Sequence, residues 1–283
     1  MSLQQWWVDA RKRLVGLYDE REASNIVQWL LEDSLKLNRT TFQLRLQKPL
    51  SEHEQLLLNH QLRRLEQGEP LQYVTELAVF HGHQFRVGPE VLIPRPETEE
   101  LIDLILKTLP PTLFYKVLDI GTGSGCIPIS VQLARPNWNV YAVDISPEAL
   151  AVAKWNAAGL GASVHFVQGD FLNEALWKIW VKPDVLVSNP PYIAQEEAAK
   201  MTKQVLEHEP RIALFPIGED AMIFYKKLAD YAVQVNPKYV FLELNPNFAY
   251  EVAHMFQDAG YAVEIVQDMQ GKDRMLSGYL LNP

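Results

Sequence analysis

Lys116-Val117-Leu118-Asp119-Ile120-Gly121-Thr122-Gly123-Ser124-Gly125-Cys126 is the stretch on which the fold of this chain turns. A short, mostly apolar strand runs into a GxGxG turn, and an apolar helix is expected to begin near Cys126. Such a turn places backbone N–H groups at a helix start, where they face a ligand lying above the sheet edge. A second strand, Asn139 to Val143, ends at Asp144, 19 positions after Gly125. That is the spacing at which a carboxylate accepts hydrogen bonds from ribose hydroxyls in dinucleotide-binding folds. The loop lacks the GxGxxG form that cradles a pyrophosphate, which weighs against a nicotinamide cofactor.

Further along, Asp184-Val185-Leu186-Val187-Ser188 reads as a buried strand, and Asn189-Pro190-Pro191-Tyr192 follows it, 68 positions after Gly121. By itself an Asn-Pro-Pro run is a common turn. After a strand, and downstream of a glycine loop, it suits a different task. The Asn side chain offers a carbonyl acceptor, the prolines fix the backbone and present the Asn189 and Pro190 carbonyls, and Tyr192 can stack on a planar group. A neutral NH₂, amide or exocyclic base, fits that set, with its nitrogen lone pair left facing a methyl donor. The glycine loop then suits S-adenosylmethionine, which carries a ribose and a carboxylate but no pyrophosphate. The expected cofactor residues are Gly121, Thr122, Gly123, Ser124, Gly125, Asp144, Phe171 and Asn189. Catalysis and substrate binding fall to Asn189, Pro190, Pro191 and Tyr192. Phe171 enters because Gln168-Gly169-Asp170-Phe171 follows a third strand, Ser163 to Val167; Phe171 can border an adenine, and Asp170 is either an acceptor for its N6 hydrogens or a turn residue. Ser146-Pro147-Glu148 has the order of a helix N-cap, a first-turn Pro and a first-turn acid.

The 283 residues are 48% hydrophobic, with 14 Gly and 18 Pro, and suffice for two folded domains. No apolar run reaches membrane-spanning length and no leader pattern is present, so a soluble, cytoplasmic protein is expected. A single cysteine, Cys126, rules out an internal disulfide and a Cys-rich metal site. His81 and His83 lack a nearby third ligand and are read as turn residues, so no metal is expected. Residues 1–95 hold 12 basic and 12 acidic side chains, whereas residues 96–283 hold 14 and 23. The net charge of −9 therefore belongs to the second part, without the basic face that binds nucleic acid.

Leucine-rich helical spacing marks residues 4–66 as four or five helices. Ala78-Val79-Phe80 and Gln84-Phe85-Arg86-Val87 flank His81-Gly82-His83 as a hairpin. From Leu101 onward strands and helices alternate, and the late strands Tyr239–Leu244, Ala262–Val266 and Met275–Leu281 suggest a doubly wound α/β sheet with an antiparallel edge hairpin. The expected division is a helical domain at 1–71, a hairpin linker at 72–95 and a catalytic domain at 96–283.

Six blocks resemble the signature of the peptide chain release factor glutamine methyltransferases. They are Glu69–Tyr73, Val91–Glu99 (containing Ile93-Pro94-Arg95-Pro96-Glu97-Thr98-Glu99), Asp119–Gly125, Ser188–Ile193, Glu209–Leu214 and Gly271–Arg274. The resemblance implies a seven-stranded class I methyltransferase domain with a small N-terminal helical substrate-recognition domain. It further implies methylation of the N5 amide nitrogen of the glutamine in the Gly-Gly-Gln motif of class I release factors, and a monomer that needs neither nucleic acid nor membrane is expected. Three departures stand out. A loop usually containing Gly and Gln reads Asn245-Pro246-Asn247-Phe248, a customary Trp is Phe171, and a customary Gly is absent at Thr75-Glu76. Arg95 and Glu97 are read as shaping the pocket. The Asn-Pro-Pro-Tyr block alone is shared with adenine-N6 and other nucleic-acid amino methyltransferases, which remain the alternative; a non-catalytic binding module is opposed by the intact loop, Asp144 and Asn189.

Overall fold

The computed structural model describes residues 1–216, 218 and 220–281. It divides into two compact units, Met1–Leu77 with Thr202–His208, and Ala78–Met201 with the chain from Glu209 onward. The units run differently from the 1–71, 72–95 and 96–283 division expected from sequence. The hairpin is no free linker, because Phe80 and Phe85 are fully buried in the core of the second unit, with ring centroids 5.9 Å apart.

The first unit is built from α1 (Leu3–Leu14), α2 (Glu20–Ser34), α3 (Arg39–Arg45), α4 (Glu52–Glu66) and α5 (Leu71–Thr75). Local chemistry sets the starts: Ser2, Asp19, Asn38 and Ser51 each accept an N–H from the first turn. Leu3, Leu14, Leu30, Leu31, Leu58 and Leu62 then share one core.

In the second unit the hairpin strands β1 (Leu77–Phe80) and β2 (His83–Arg86) precede α6 (Pro96–Thr108). The strands β3 (Lys116–Ile120), β4 (Asn139–Asp144), β5 (Val164–Gln168), β6 (Val185–Ser188), β7 (Tyr239–Glu243), β8 (Tyr261–Gln267) and β9 (Asp273–Leu280) form one sheet in the order β5-β4-β3-β6-β7-β9-β8. Five strands run parallel and β9 is antiparallel to both β7 and β8. The expected late hairpin is present, with β8 alone as the edge and β9 inserted beside β7. Between the strands lie α7 (Cys126–Ala134), α8 (Pro147–Leu160), α9 (Lys203–His208), α10 (Arg211–Leu214), α11 (Ile223–Val235) and α12 (Ala249–Asp258), α9 belonging to the first unit.

Strands covered on both faces need apolar residues at both parities, which explains their nearly continuous hydrophobic runs. Leu118, Ile120, Leu186, Val240 and Leu242 pack with Leu228 and Tyr231 of α11 and Val252 of α12. Val117, Val185, Val187 and Phe241 pack the other way, with Ile102 of α6 and Ile129 of α7. Connections leave β3 toward β4 on one side and are resumed at β6 on the other, so the carboxyl ends of β3, β4 and β6 open onto a crevice at the switch in strand order.

Candidate active site

Each of these strand ends delivers a residue singled out from sequence. The glycine loop leaves β3, and Val143 at the end of β4 accepts the N–H groups of Gly121 (2.9 Å) and Thr122 (3.1 Å) through its carbonyl. Asp144 completes the hold: one carboxylate oxygen accepts the Gly123 N–H at 2.8 Å, the other the Ser146 N–H at 2.9 Å. Burial raises the Asp144 pKa, and the N–H donors of Ser146, Gly123 and Ile145 oppose the shift. Ser146 caps α8 by accepting the Ala149 N–H at 3.0 Å, and Pro147 occupies the first turn.

Two kinds of glycine make the loop. Gly121 and Gly123 have φ of 75° and 53°, and open space lies where a Cβ would stand. Gly125 is needed for packing as well as for its φ of 79°: a Cβ there would meet Ile129 Cδ1 at 2.9 Å and Ala153 Cβ at 3.1 Å. A residue not singled out from sequence, Asn156 of α8, clamps the loop from behind by donating to the Ser124 carbonyl at 2.9 Å.

A cavity opens above the sheet edge, lined by Gly121, Gly123, Asp144, Asp170, Phe171 and Asn189 among others. Pro191 also lines it, whereas Thr122, Ser124, Gly125, Pro190 and Tyr192 do not. Phe171 shows one side to the cavity and is otherwise core, stacked on Trp177 and Trp180 with ring centroids at 5.5 and 6.1 Å. The sequence reading missed most of the apolar wall: Val91 and Leu92 before α6, and Pro210, Ile212, Ala213, Phe215 and Phe224. An ion pair ties these two wall segments together. Arg95 donates to Glu209 at 2.6 Å, the Ile93 N–H reaches the same carboxylate at 3.3 Å, and the Glu209 side chain is only 1% exposed.

Asn189 sits at the end of β6 with its amide anchored. Its Nδ2 donates to the Thr98 hydroxyl at 3.2 Å, and that hydroxyl donates to Glu243 of β7 at 2.6 Å. Tyr192 donates to the other Glu243 oxygen at 2.9 Å and does not line the cavity. Burial raises the Glu243 pKa, opposed by the Thr98 and Tyr192 hydroxyls and the Arg274 guanidinium. The divergent loop is well held: Asn245 donates to the Tyr192 carbonyl at 3.1 Å and to Glu197 at 2.8 Å, and Asn247 donates to Glu197 at 2.5 Å. At the hairpin, His81 meets Asp103 at 3.0 Å.

The residues at the strand ends define a methyltransferase, and the comparisons agree. Residues 99–248 match the methyltransferase small domain family, and residues 5–75 match the PrmC N-terminal domain. The Release factor glutamine methyltransferase of Lactococcus lactis is 39% identical over 96% of this chain and 98% of its own. That of Bacteroides thetaiotaomicron is 37% identical over 94% of this chain and 96% of its own. Among solved structures, a methyltransferase from Pyrococcus furiosus superposes with a TM-score of 0.52 at 22% identity, over 78% of this chain and 98% of that one, showing the shared fold. The chain belongs to the release factor glutamine methyltransferase family.

Proposed function

We propose that the protein transfers a methyl group from S-adenosylmethionine to the N5 amide nitrogen of the glutamine in the Gly-Gly-Gln motif of class I peptide chain release factors. One observation carries this reading: Asn189, its amide anchored at one end, stands in the wall of the cavity formed by the glycine loop. The near-full-length kinship to relatives bearing the release factor name supports the choice of substrate.

The cavity residues fit the cofactor. Open space over Gly121 and Gly123 admits close backbone approach, Asp144 keeps unused lone pairs for ribose hydroxyls, and Val91, Leu92 and Phe171 give an apolar surface for a base. When bound, S-adenosylmethionine supplies an electrophilic methyl group on a sulfonium sulfur. A glutamine nitrogen is a poor nucleophile because its lone pair is delocalised into the carbonyl. The protein's task is to hold that nitrogen with its lone pair toward the methyl. The Asn189 Oδ1 and the Pro190 carbonyl accept the two N–H bonds of the NH₂, and these contacts strengthen as positive charge develops on nitrogen. A strong base is not needed before transfer, since the N-methyl amide first carries an extra proton on nitrogen, is strongly acidic in that form, and gives the proton to water afterwards. Tyr192 supports Asn189 through Glu243 in this scheme.

In the proposal the helical first unit recognises the release factor, the protein acts as a monomer in the cytoplasm, and neither membrane nor nucleic acid takes part. Among the described residues no helix is long and apolar enough to cross a membrane. Incubation of the purified protein with S-adenosylmethionine and a release factor, followed by mass spectrometry of the Gly-Gly-Gln peptide, is expected to show one methyl on the glutamine. Label appearing only on DNA or RNA would overturn the reading and favour the nucleic-acid alternative.

A further inference from the structure

The glutamine of a substrate demands acceptors, yet an Asn side chain can present either its oxygen or its NH₂. We propose that Thr98 and Glu243 are positioning residues that dictate which end of the Asn189 amide faces the substrate. This rests on the methyl-transfer reading above.

Proton counting carries the inference. A threonine hydroxyl has one hydrogen to give. Thr98 lies 2.6 Å from one oxygen of Glu243, and Tyr192 donates to the other oxygen at 2.9 Å. A buried carboxylate taking both hydrogens leaves Thr98 with only a lone pair for Asn189, 3.2 Å away. Asn189 must therefore turn its NH₂ toward Thr98, which commits Oδ1 to the substrate side. Thr98 and Glu243 are 3% and 2% exposed, so water does not readily substitute for either partner. Burial pushes the Glu243 carboxyl up, and Glu97 adds to that; the two hydroxyl donors and the Arg274 guanidinium, whose Nη1 reaches the Leu244 carbonyl at 3.4 Å, act the other way and favour the carboxylate. The wiring spans α6, β6 and β7, joining the end of β6 to a helix and a strand far apart in sequence.

Replacing Glu243 by the isosteric Gln reverses the direction of the wire. Tyr192 still needs an acceptor, so the Gln carbonyl turns to Tyr192 and the Gln NH₂ to Thr98. Thr98 then accepts, donates to Asn189 and draws Oδ1 inward, leaving an NH₂ to confront the substrate NH₂. Donor against donor at a reacting centre is expected to cut the single-turnover rate on the order of 10²-fold. Thr98→Val removes the wire without reversing it, with an expected loss of about tenfold, and Thr98→Ser restores most of that loss.

The decisive measurement is the double-variant cycle. With Thr98→Val already present, Glu243→Gln has no wire to reverse, so its further effect is expected to fall below about threefold. Rates are taken at saturating cofactor and release factor, alongside cofactor affinity by calorimetry and thermal midpoints. Wild-type affinity with lost turnover in Glu243→Gln, masked by Thr98→Val, supports the proposal. Additive losses in the double variant, or a Thr98→Val rate equal to wild type, overturn it. Failure of the wild-type protein to methylate a release factor at all would instead sink the underlying functional reading, so the two failures are distinguishable.

Discussion

Asp119 is a carboxylate held where water does not reach, and neither of its oxygens meets a hydrogen-bond partner of good geometry among the described residues. Burial pushes its pKa up to about 7 against the pull of the Thr122 hydroxyl, from an ordinary 3.8. A raised carboxyl pKa means the native state keeps a proton that the unfolded chain releases. The associated stability is present in full below about pH 4 and is lost as pH climbs to about 7. Asp119→Asn should therefore match wild type at low pH and exceed it by up to about 4 kcal/mol above neutrality, since one pKa unit is worth about 1.4 kcal/mol. Urea midpoints at pH 4, 6 and 8 would show the gap widening; a constant gap refutes the assignment. Two further single changes probe the cavity. Asp144→Ala should weaken S-adenosylmethionine binding by about 1.5–3 kcal/mol on losing charge-assisted hydrogen bonds, and unchanged calorimetric affinity would exclude Asp144 from the ribose site. Asn189→Ala should lower the single-turnover rate by about 10²–10³, far more than it weakens cofactor binding. A rate near wild type would reduce Asn-Pro-Pro to a turn.

Between elements, the Arg95–Glu209 pair shows how one interaction shapes a wall of the cavity. Arg95 caps the approach to α6, Glu209 precedes α10, and both flank residues that line the cavity. Truncating Arg95 leaves a buried carboxylate with the Ile93 N–H as its remaining partner among the described residues, and solvent at the one-third-exposed Arg95 moderates the loss. About 1–3 kcal/mol is expected for Arg95→Met, with part of it recovered when Glu209→Gln is added. Chemical denaturation measures both, and equal destabilisation in the single and double variants would argue against the pair. This level also marks where the sequence stops speaking. The glycine loop, Asp144 and Asn189 are legible because each is a short pattern at the end of a strand. The Thr98–Glu243 contact bridges 145 positions and arises only when α6 packs across β7. The Tyr192–Glu243 contact is hidden for the same reason: the neighbours of Tyr192 in sequence say aromatic cap, and nothing in them announces a carboxylate 51 positions on. The wall from Pro210 to Phe224 has no periodicity to announce that it faces a cavity.

Across the whole molecule, charge makes the broadest prediction. With −9 overall and the acidic excess confined to residues 96–283, duplex DNA should show no mobility shift with submicromolar protein at physiological salt. A clear shift would revive the nucleic-acid reading. The alternating strands of a doubly wound sheet were legible from the succession of apolar segments, while their order in the sheet and the boundaries of the compact units were not, the latter because residues 202–208 join the first unit from far along the chain. The position of β9 sets a schedule for biosynthesis. It is translated after β7 and β8 yet lies between them, pairing Met275 with Glu243. While a nascent chain emerges, β7 stays an open edge, and Glu243 has one flank of its strand bare until β9 arrives. Acquisition of activity must then be a late event in synthesis, since the strand that closes the sheet also shuts water away from the carboxylate on which Asn189 leans.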